Sequence, residues 1–255
     1  MTTPRVFIIR HGETEWSLNG RHTGTTELPL TSNGEARIRA TGQALIGEDR
    51  LIAPHNLAHI YVSPRQRAQR TLELLSIGSS CEIPWKANYD HTSSTKPRTD
   101  ANIEVTEDIR EWDYGDYEGL TSKTIREERQ KRGEGGWDIW RDGCPGGESP
   151  HDVTKRLDRL IRDIRNRFHE AAAGKPKGEA PACDVLLVAH GHILRAFAAR
   201  WIGREIHDNP NLILEAGGVG TLSYEHHSID EPAILLGGAF MSDVVENAKD
   251  DVMKR

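Results

Sequence analysis

The sequence has few cysteines, few aromatic residues and no long hydrophobic run. Of its 255 residues only 3 are cysteines and 6% are aromatic. Cys81, Cys144 and Cys183 lie far apart without a CxxC spacing, which favours reduced thiols in a cytoplasmic protein over a disulfide framework. The longest apolar run near the start, Val6–Ile9, is too short for a signal-peptide core, and no segment approaches the length of a membrane span. We therefore expect a cytoplasmic protein that has no membrane partner.

Basic residues are also fewer than acidic ones. The chain has 33 Lys and Arg against 39 Asp and Glu, a formal net charge of −6. This balance argues against a nucleic-acid partner, and an anionic ligand would need a local basic pocket. The composition fits one domain over residues 1–242, and the charged residues 243–255 are predicted to be a frayed tail.

Short apolar runs alternate with helical patterns along the chain. Arg5–Ile9, His59–Val62 and Val185–Val188 are predicted to be strands, each followed by a helix. Gly218–Tyr224 and Ala233–Leu236 are predicted to form a late antiparallel hairpin. The alternation predicts an α/β fold with a mostly parallel central sheet, helices on both of its faces and this hairpin at the end.

Helix starts are marked by capping residues. Ser63-Pro64 predicts a helix that runs to about Leu75, and Ser149-Pro150 begins the clearest amphipathic pattern of the chain. From about Ser76 to Asn102 the sequence is polar and is predicted to be irregular.

Three of the predicted strands end in reactive polar clusters. These clusters are Arg10-His11, Ser63-Pro64-Arg65 and His190-Gly191-His192. The carboxyl ends of strands in an open α/β sheet form its ligand crevice. Two arginines that converge there can clamp a phosphoryl group, and the imidazoles beside them can act as nucleophile and charge stabiliser near neutral pH.

A histidine that attacks phosphorus needs an acid to protonate the leaving oxygen. Glu111 is the candidate, because a carboxyl group near the phosphate can protonate the departing alkoxide and later take a proton from water. The residues therefore indicate a phosphatase with His11 as nucleophile.

Four motifs occur in the same order as in a known family. Arg10-His11-Gly12 resembles the RHG signature of the histidine phosphatase superfamily, which includes the phosphoglycerate mutases, and Ser63-Pro64-Arg65, Glu111 and Ala189-His190-Gly191 resemble its other motifs. The resemblance implies the phosphoglycerate mutase-like fold. It also implies that His11 is the phosphorylated nucleophile and that Glu111 is the acid and base, while Arg10, Arg65 and His190 hold the phosphoryl group.

A finer resemblance is to the fungal sedoheptulose-1,7-bisphosphatase branch of the superfamily, carried by the segments around Tyr114, Trp140 and Ala216 and by His226-His227. It implies a sugar phosphate partner, with sedoheptulose 1,7-bisphosphate as the expected substrate. The substrate contacts that it implies beyond the reacting phosphate are His22, Thr23, Tyr114, Arg195 and His226.

The sequence also departs from that pattern. Ser17 stands where many relatives have asparagine, and His22 stands where a tyrosine is expected. Residues 203–214 form a shorter segment than expected and residues 85–102 a longer one. Both segments fall where lids over the pocket could form, which leaves the particular sugar open.

Other functions are compatible with parts of the sequence. His190-x-His192 and Glu225-His226-His227 have metal-ligand spacings, but neighbouring arginines would repel a divalent cation, so we expect no metal and no cofactor. A non-catalytic binding module would lack His11 or Glu111, and both are present. A phosphoglycerate mutase or a broad-specificity phosphatase uses the same nucleophile and stays open, as does a homo-oligomer.

Overall fold

The computed structural model describes residues 1–86, 98–208 and 211–236. Within them, six strands form one sheet in the order β3-β2-β4-β1-β5-β6. Their bounds are β1 (Val6–Arg10), β2 (Leu57–Val62), β3 (Asn102–Val105), β4 (Asp184–Ala189), β5 (Val219–Tyr224) and β6 (Pro232–Leu235). Strands β1 to β4 pair in parallel, whereas β5 pairs antiparallel with β1 and β6. The predicted fold class and its late hairpin are confirmed.

The α-helices in the described residues are α1 (Glu15–Asn19), α2 (Ser32–Leu45), α3 (Gln66–Leu74), α4 (Ser122–Lys131), α5 (Ile139–Asp142), α6 (Pro150–Ile164) and α7 (Gly191–Trp201). The predicted start of α6 is confirmed, because the Ser149 hydroxyl accepts from the backbone N–H of Asp152. The predicted start of α3 at Ser63-Pro64 is wrong. Arg65 is the N-cap, and the Ser63 hydroxyl instead lies 2.6 Å from Nε2 of His190.

The sheet is covered on both faces. Along β1 the side chains alternate, so that Val6 and Ile8 join one core cluster while Phe7 and Ile9 join another. The first cluster includes residues of α6 and α7, and the second includes residues of α2 and α3. This two-sided burial explains why Val185–Val188 is a continuous apolar run.

Strand β3 lies at the sheet edge, in a segment that ends the predicted irregular region. Of its four residues, Ile103 packs against the core, so the hydrophobic signal is weak. Part of that irregular region and the predicted tail at residues 243–255 lie outside the described residues.

None of the three cysteines forms a disulfide. Within the described ranges, no helix has the length and apolar character that a membrane span requires.

Candidate active site

The reactive clusters meet because their strands are neighbours. Strands β2, β4 and β1 lie side by side and run in the same direction, with Val62 opposite Val188 and Arg10 opposite Ala189. A cavity of about 250 Å³ opens at this edge. Its lining includes Arg10, His11, Ser17, Arg21, His22, Thr23, Glu111, Tyr114, His192 and Arg195.

His11 is held as a neutral imidazole. Its Nδ1 lies 2.7 Å from the carbonyl oxygen of Gly12, which can only accept, so Nδ1 carries the proton and Nε2 keeps its lone pair. Burial lowers the pKa of His11 well below its usual value, and the positive charges of Arg67 and Arg10 lower it further. The ring is therefore ready to act as a nucleophile through Nε2.

His190 is fixed as a hydrogen-bond donor beside it. The two ring centroids are 5.1 Å apart. Nδ1 of His190 accepts from Nε of Arg67 at 3.2 Å, so the proton sits on Nε2, which donates to the Ser63 hydroxyl at 2.6 Å. Burial, followed by the charge of Arg67, keeps the pKa of His190 well below its usual value. Its one N–H is bound to Ser63, and a phosphoryl oxygen would have to take the place of that hydroxyl to accept from it.

Arg67 is the site residue that sequence reasoning missed. Its side chain is 1% exposed and lies against His190, whereas Arg65 lies at the start of α3 with its guanidinium 3.6 Å from Glu27. The helical periodicity of this segment predicts that Arg67 faces inward, since Arg67, Thr71 and Leu74 share the buried face of α3. Arg65 lies between the end of β2 and the start of α3, so it also lies at this edge of the sheet.

Glu111 is anchored at the N-terminus of α7. One carboxylate oxygen accepts from the backbone N–H of Trp112 at 2.9 Å and of Ile193 at 2.9 Å, and the other accepts from that of His192 at 3.1 Å. The bonds from α7 satisfy two amides that the helix itself leaves unpaired. They also hold the carboxyl group where it lines the cavity.

Arg10 approaches the same helix start. Its Nη1 donates to the carbonyl of Leu214 at 2.8 Å, and its Nε is buried without a partner. A Cβ on Gly191 would lie 3.2 Å from Cζ of Arg10, so a glycine there lets the guanidinium come close. The guanidinium of Arg10 lines the cavity, where it can bind an anionic group.

Four of the expected substrate contacts line the cavity. Nε2 of His22 lies 3.1 Å from the Ser122 hydroxyl, and burial lowers the pKa of His22 to about 4. The hydroxyl of Tyr114 lies 2.7 Å from Nδ1 of His192, which belongs to the third of the predicted reactive clusters. Thr23 and Arg195 complete the four. The guanidinium carbon of Arg195 lies 5.0 Å from the centre of the Trp140 ring.

His226 lies elsewhere. It follows β5, which runs antiparallel to β1, so it sits at the amino end of β1 and not at the edge that holds His11. Its exposed ring pairs with Glu231 at 2.5 Å. This placement removes His226 from the set of expected substrate contacts.

Comparison with known proteins agrees with this geometry. Residues 6–232 match the model of the histidine phosphatase superfamily (branch 1), and the chain belongs to that family. It is 38% identical to the sedoheptulose 1,7-bisphosphatase of Saccharomyces cerevisiae over 97% of both chains, and 33% identical to an acid phosphatase of Mycobacterium tuberculosis over 87% of both. The solved structure of a Mycobacterium tuberculosis open reading frame is 28% identical, with a TM-score of 0.64, and the match covers 92% of this chain and 97% of that one. The chain is thus a phosphoric monoester hydrolase.

Proposed function

We propose that this phosphatase hydrolyses a sugar bisphosphate, with sedoheptulose 1,7-bisphosphate as the expected substrate, through a phosphohistidine on His11. The observation that carries the proposal is the neutral His11 ring, whose Nδ1 is tied to Gly12 and whose Nε2 is left for attack, in a cavity that also receives Arg10 and Arg195. The likeness to the yeast bisphosphatase supports the choice of sugar.

In the first chemical step, Nε2 of His11 forms a bond to phosphorus while the bond from phosphorus to the sugar oxygen breaks. Arg10 and His190 offer N–H groups to the phosphoryl oxygens, and Arg67 adds positive charge behind His190. The departing sugar oxygen needs a proton, and Glu111 is the group that passes it on in this step.

In the second step, water attacks the phosphohistidine. The carboxylate of Glu111 takes a proton from that water, the bond between nitrogen and phosphorus breaks, and inorganic phosphate leaves. His11 returns to its neutral form and Glu111 regains the proton that it passed on, so the cycle closes without a net change in the protein.

The surroundings of the Arg195 guanidinium favour a substrate that carries a second anionic group. The acceptors of its guanidinium in the described parts of the chain are the carbonyls of Gly191 at 3.2 Å and Leu212 at 3.4 Å, and no carboxylate forms an ion pair with it there. Burial lowers its pKa, and the charge of Glu111 opposes that shift. A distal phosphate would give this half-buried guanidinium a charge-assisted hydrogen-bond partner.

Phosphate release from a panel of sugar mono- and bisphosphates tests the proposal. We expect the highest kcat/KM for sedoheptulose 1,7-bisphosphate. Preference for a monophosphate would contradict the assignment of the substrate. Conversion of 3-phosphoglycerate to its isomer, without phosphate release, would indicate a mutase.

The Glu111→Gln variant tests the proton donor. We expect it to lower kcat for the sugar bisphosphate about 100-fold, and for p-nitrophenyl phosphate less than about fivefold, because a sugar alkoxide needs a proton on departure and a nitrophenolate barely does. Steady-state kinetics of both substrates measure the difference. Equal losses would show that Glu111 serves the site in some other way.

The Arg195→Ala variant tests the distal phosphate contact. We expect it to lower kcat/KM for a sugar bisphosphate about 100-fold, on the scale of a charge-assisted contact, and to change that for a short monophosphate little. Arg200→Ala is the matched control, since Arg200 lies on the same helix but pairs with Asp158 away from the cavity. A similar loss on both substrates would place Arg195 in the reacting centre or in the fold.

A further inference from the structure

Residues 23–26 form a loop that begins at the cavity with Thr23. The backbone amides of this loop donate hydrogen bonds to the carboxylate of a single residue, Glu118. Oε1 of Glu118 accepts from the backbone N–H groups of Gly24 at 3.0 Å, Thr25 at 3.1 Å and Thr26 at 2.9 Å. Oε2 accepts from Gly24 at 2.8 Å. Three successive amides thus point to one side chain, which stabilises one conformation of this stretch of backbone.

The carbonyl side of the same loop is held by Arg67. Its Nη1 donates to the oxygen of Thr26 at 3.0 Å, and its Nη2 donates to those of Thr23 at 2.9 Å and Gly24 at 3.3 Å. The Nε of this arginine is the group that binds Nδ1 of His190. The loop is therefore fixed relative to the reacting centre.

The loop also packs tightly against the segment that carries Glu111. A Cβ on Gly24 would lie 2.4 Å from the carbonyl oxygen of Trp112 and 3.0 Å from the ring of Tyr114. The backbone at Trp112 cannot move far enough to relieve such a contact, so a side chain at position 24 would displace the loop. Thr23 and its neighbour His22 line the cavity together with Tyr114.

We propose that Glu118 is a positioning residue that selects extended sugar phosphates by holding the 23–26 loop against the cavity. The inference rests on the proposed phosphatase function. The hydrogen bonds of Glu118 go to the loop amides and not to Arg10, His11 or His190, the residues proposed to hold the reacting phosphoryl group. The loop contributes Thr23 to the wall that a longer substrate meets, so its position matters for such substrates and little for a small aryl phosphate.

The Glu118→Gln variant keeps the size of the side chain but places an amide N–H₂ where an acceptor oxygen was. One or more of the three loop amides then loses its partner. We expect kcat/KM for a sugar bisphosphate to fall about 10- to 100-fold, mostly through KM, and that for p-nitrophenyl phosphate to change less than about threefold.

Glu148→Gln is the matched control. Glu148 is buried, whereas Glu118 is half-buried, and like Glu118 it accepts from a backbone amide, that of Asp113. It also accepts from the guanidinium groups of Arg110 and Arg156, but it does not line the cavity. We expect this variant to lower Tm without changing the ratio of kcat/KM between the two substrates. A general loss of stability would lower kcat/KM for both substrates by the same factor. A displaced loop would lower it more for the sugar bisphosphate than for p-nitrophenyl phosphate.

Hydrogen exchange gives a readout that does not depend on activity. In the Glu118→Gln variant we expect faster exchange of the amides of Gly24, Thr25 and Thr26 than in the wild type. If that variant fails to fold, Glu118→Asp shortens the same side chain away from the loop amides and should produce the same loss of selectivity.

Equal losses on both substrates, or unchanged exchange in the loop, would overturn the role of Glu118. If the wild type releases no phosphate from any sugar phosphate, the proposed function fails instead. The amide exchange of the variant still shows in that case whether Glu118 holds the loop.

Discussion

His11→Ala is expected to lower kcat by about four orders of magnitude or more while the fold stays intact. The covalent route disappears with its nucleophile, and only binding and electrostatic assistance remain. The variant also loses the hydrogen bond from Nδ1 to Gly12, which we expect to cost about 1 kcal/mol of the free energy of unfolding. Steady-state kinetics, circular dichroism and thermal unfolding measure these effects.

His55→Ala provides the control for this substitution. His55 is exposed and pairs with Glu48, far from the carboxyl ends of the strands, so we expect wild-type activity. More than a few per cent of wild-type activity in His11→Ala, with a normal circular dichroism spectrum, would contradict the role of His11 as nucleophile.

Arg67→Lys is expected to have the second largest effect, a loss of about 10³-fold in kcat/KM for any phosphomonoester. The guanidinium of Arg67 reaches Nδ1 of His190 and three loop carbonyls at once, from three different nitrogen atoms. An ammonium group is one compact charge and cannot span these acceptors, so His190 loses its fixed tautomer and the phosphoryl group loses a neighbouring positive charge. We also expect a lower Tm, because buried carbonyls lose their donors.

Arg65→Lys is the matched variant, two residues away on the same chain segment. Arg65 is more exposed and its guanidinium lies 3.6 Å from Glu27, so we expect a loss of about tenfold or less. A larger loss in Arg65→Lys than in Arg67→Lys would show that Arg65, the arginine predicted from the motif, is the one that holds the phosphoryl group.

The sequence predicted the central part of the site because strand ends are visible in a hydrophobic pattern. The apolar runs before Arg10-His11 and His190 form β1 and β4, and adjacent parallel strands bring their carboxyl ends together. Arg67 was missed because the motif assigned the role to Arg65, although the periodicity of α3 places Arg67 on the buried face of the helix. The helix begins at Gln66, and Arg65 makes no side-chain cap bond that would mark this start.

Other misses have a similar origin. His226 was expected at the substrate, but the direction of β5 decides which end of the sheet it occupies, and strand direction is not encoded in a short apolar run. The roles of Arg67 and Glu118 in holding one loop depend on contacts between residues that lie about 40 and 90 positions apart in the chain. No periodicity or motif reports such contacts.

The most direct test of the central claim is to trap the phosphorylated enzyme. Rapid acid-free quenching of the wild type during turnover of the sugar bisphosphate, followed by mass spectrometry of peptides, should show one phosphoryl group on His11. The label should disappear as substrate is exhausted and should be absent from His11→Ala. A wild-type enzyme that turns over at full rate with no phosphorylated peptide, or with the phosphoryl group on another residue, would contradict the account.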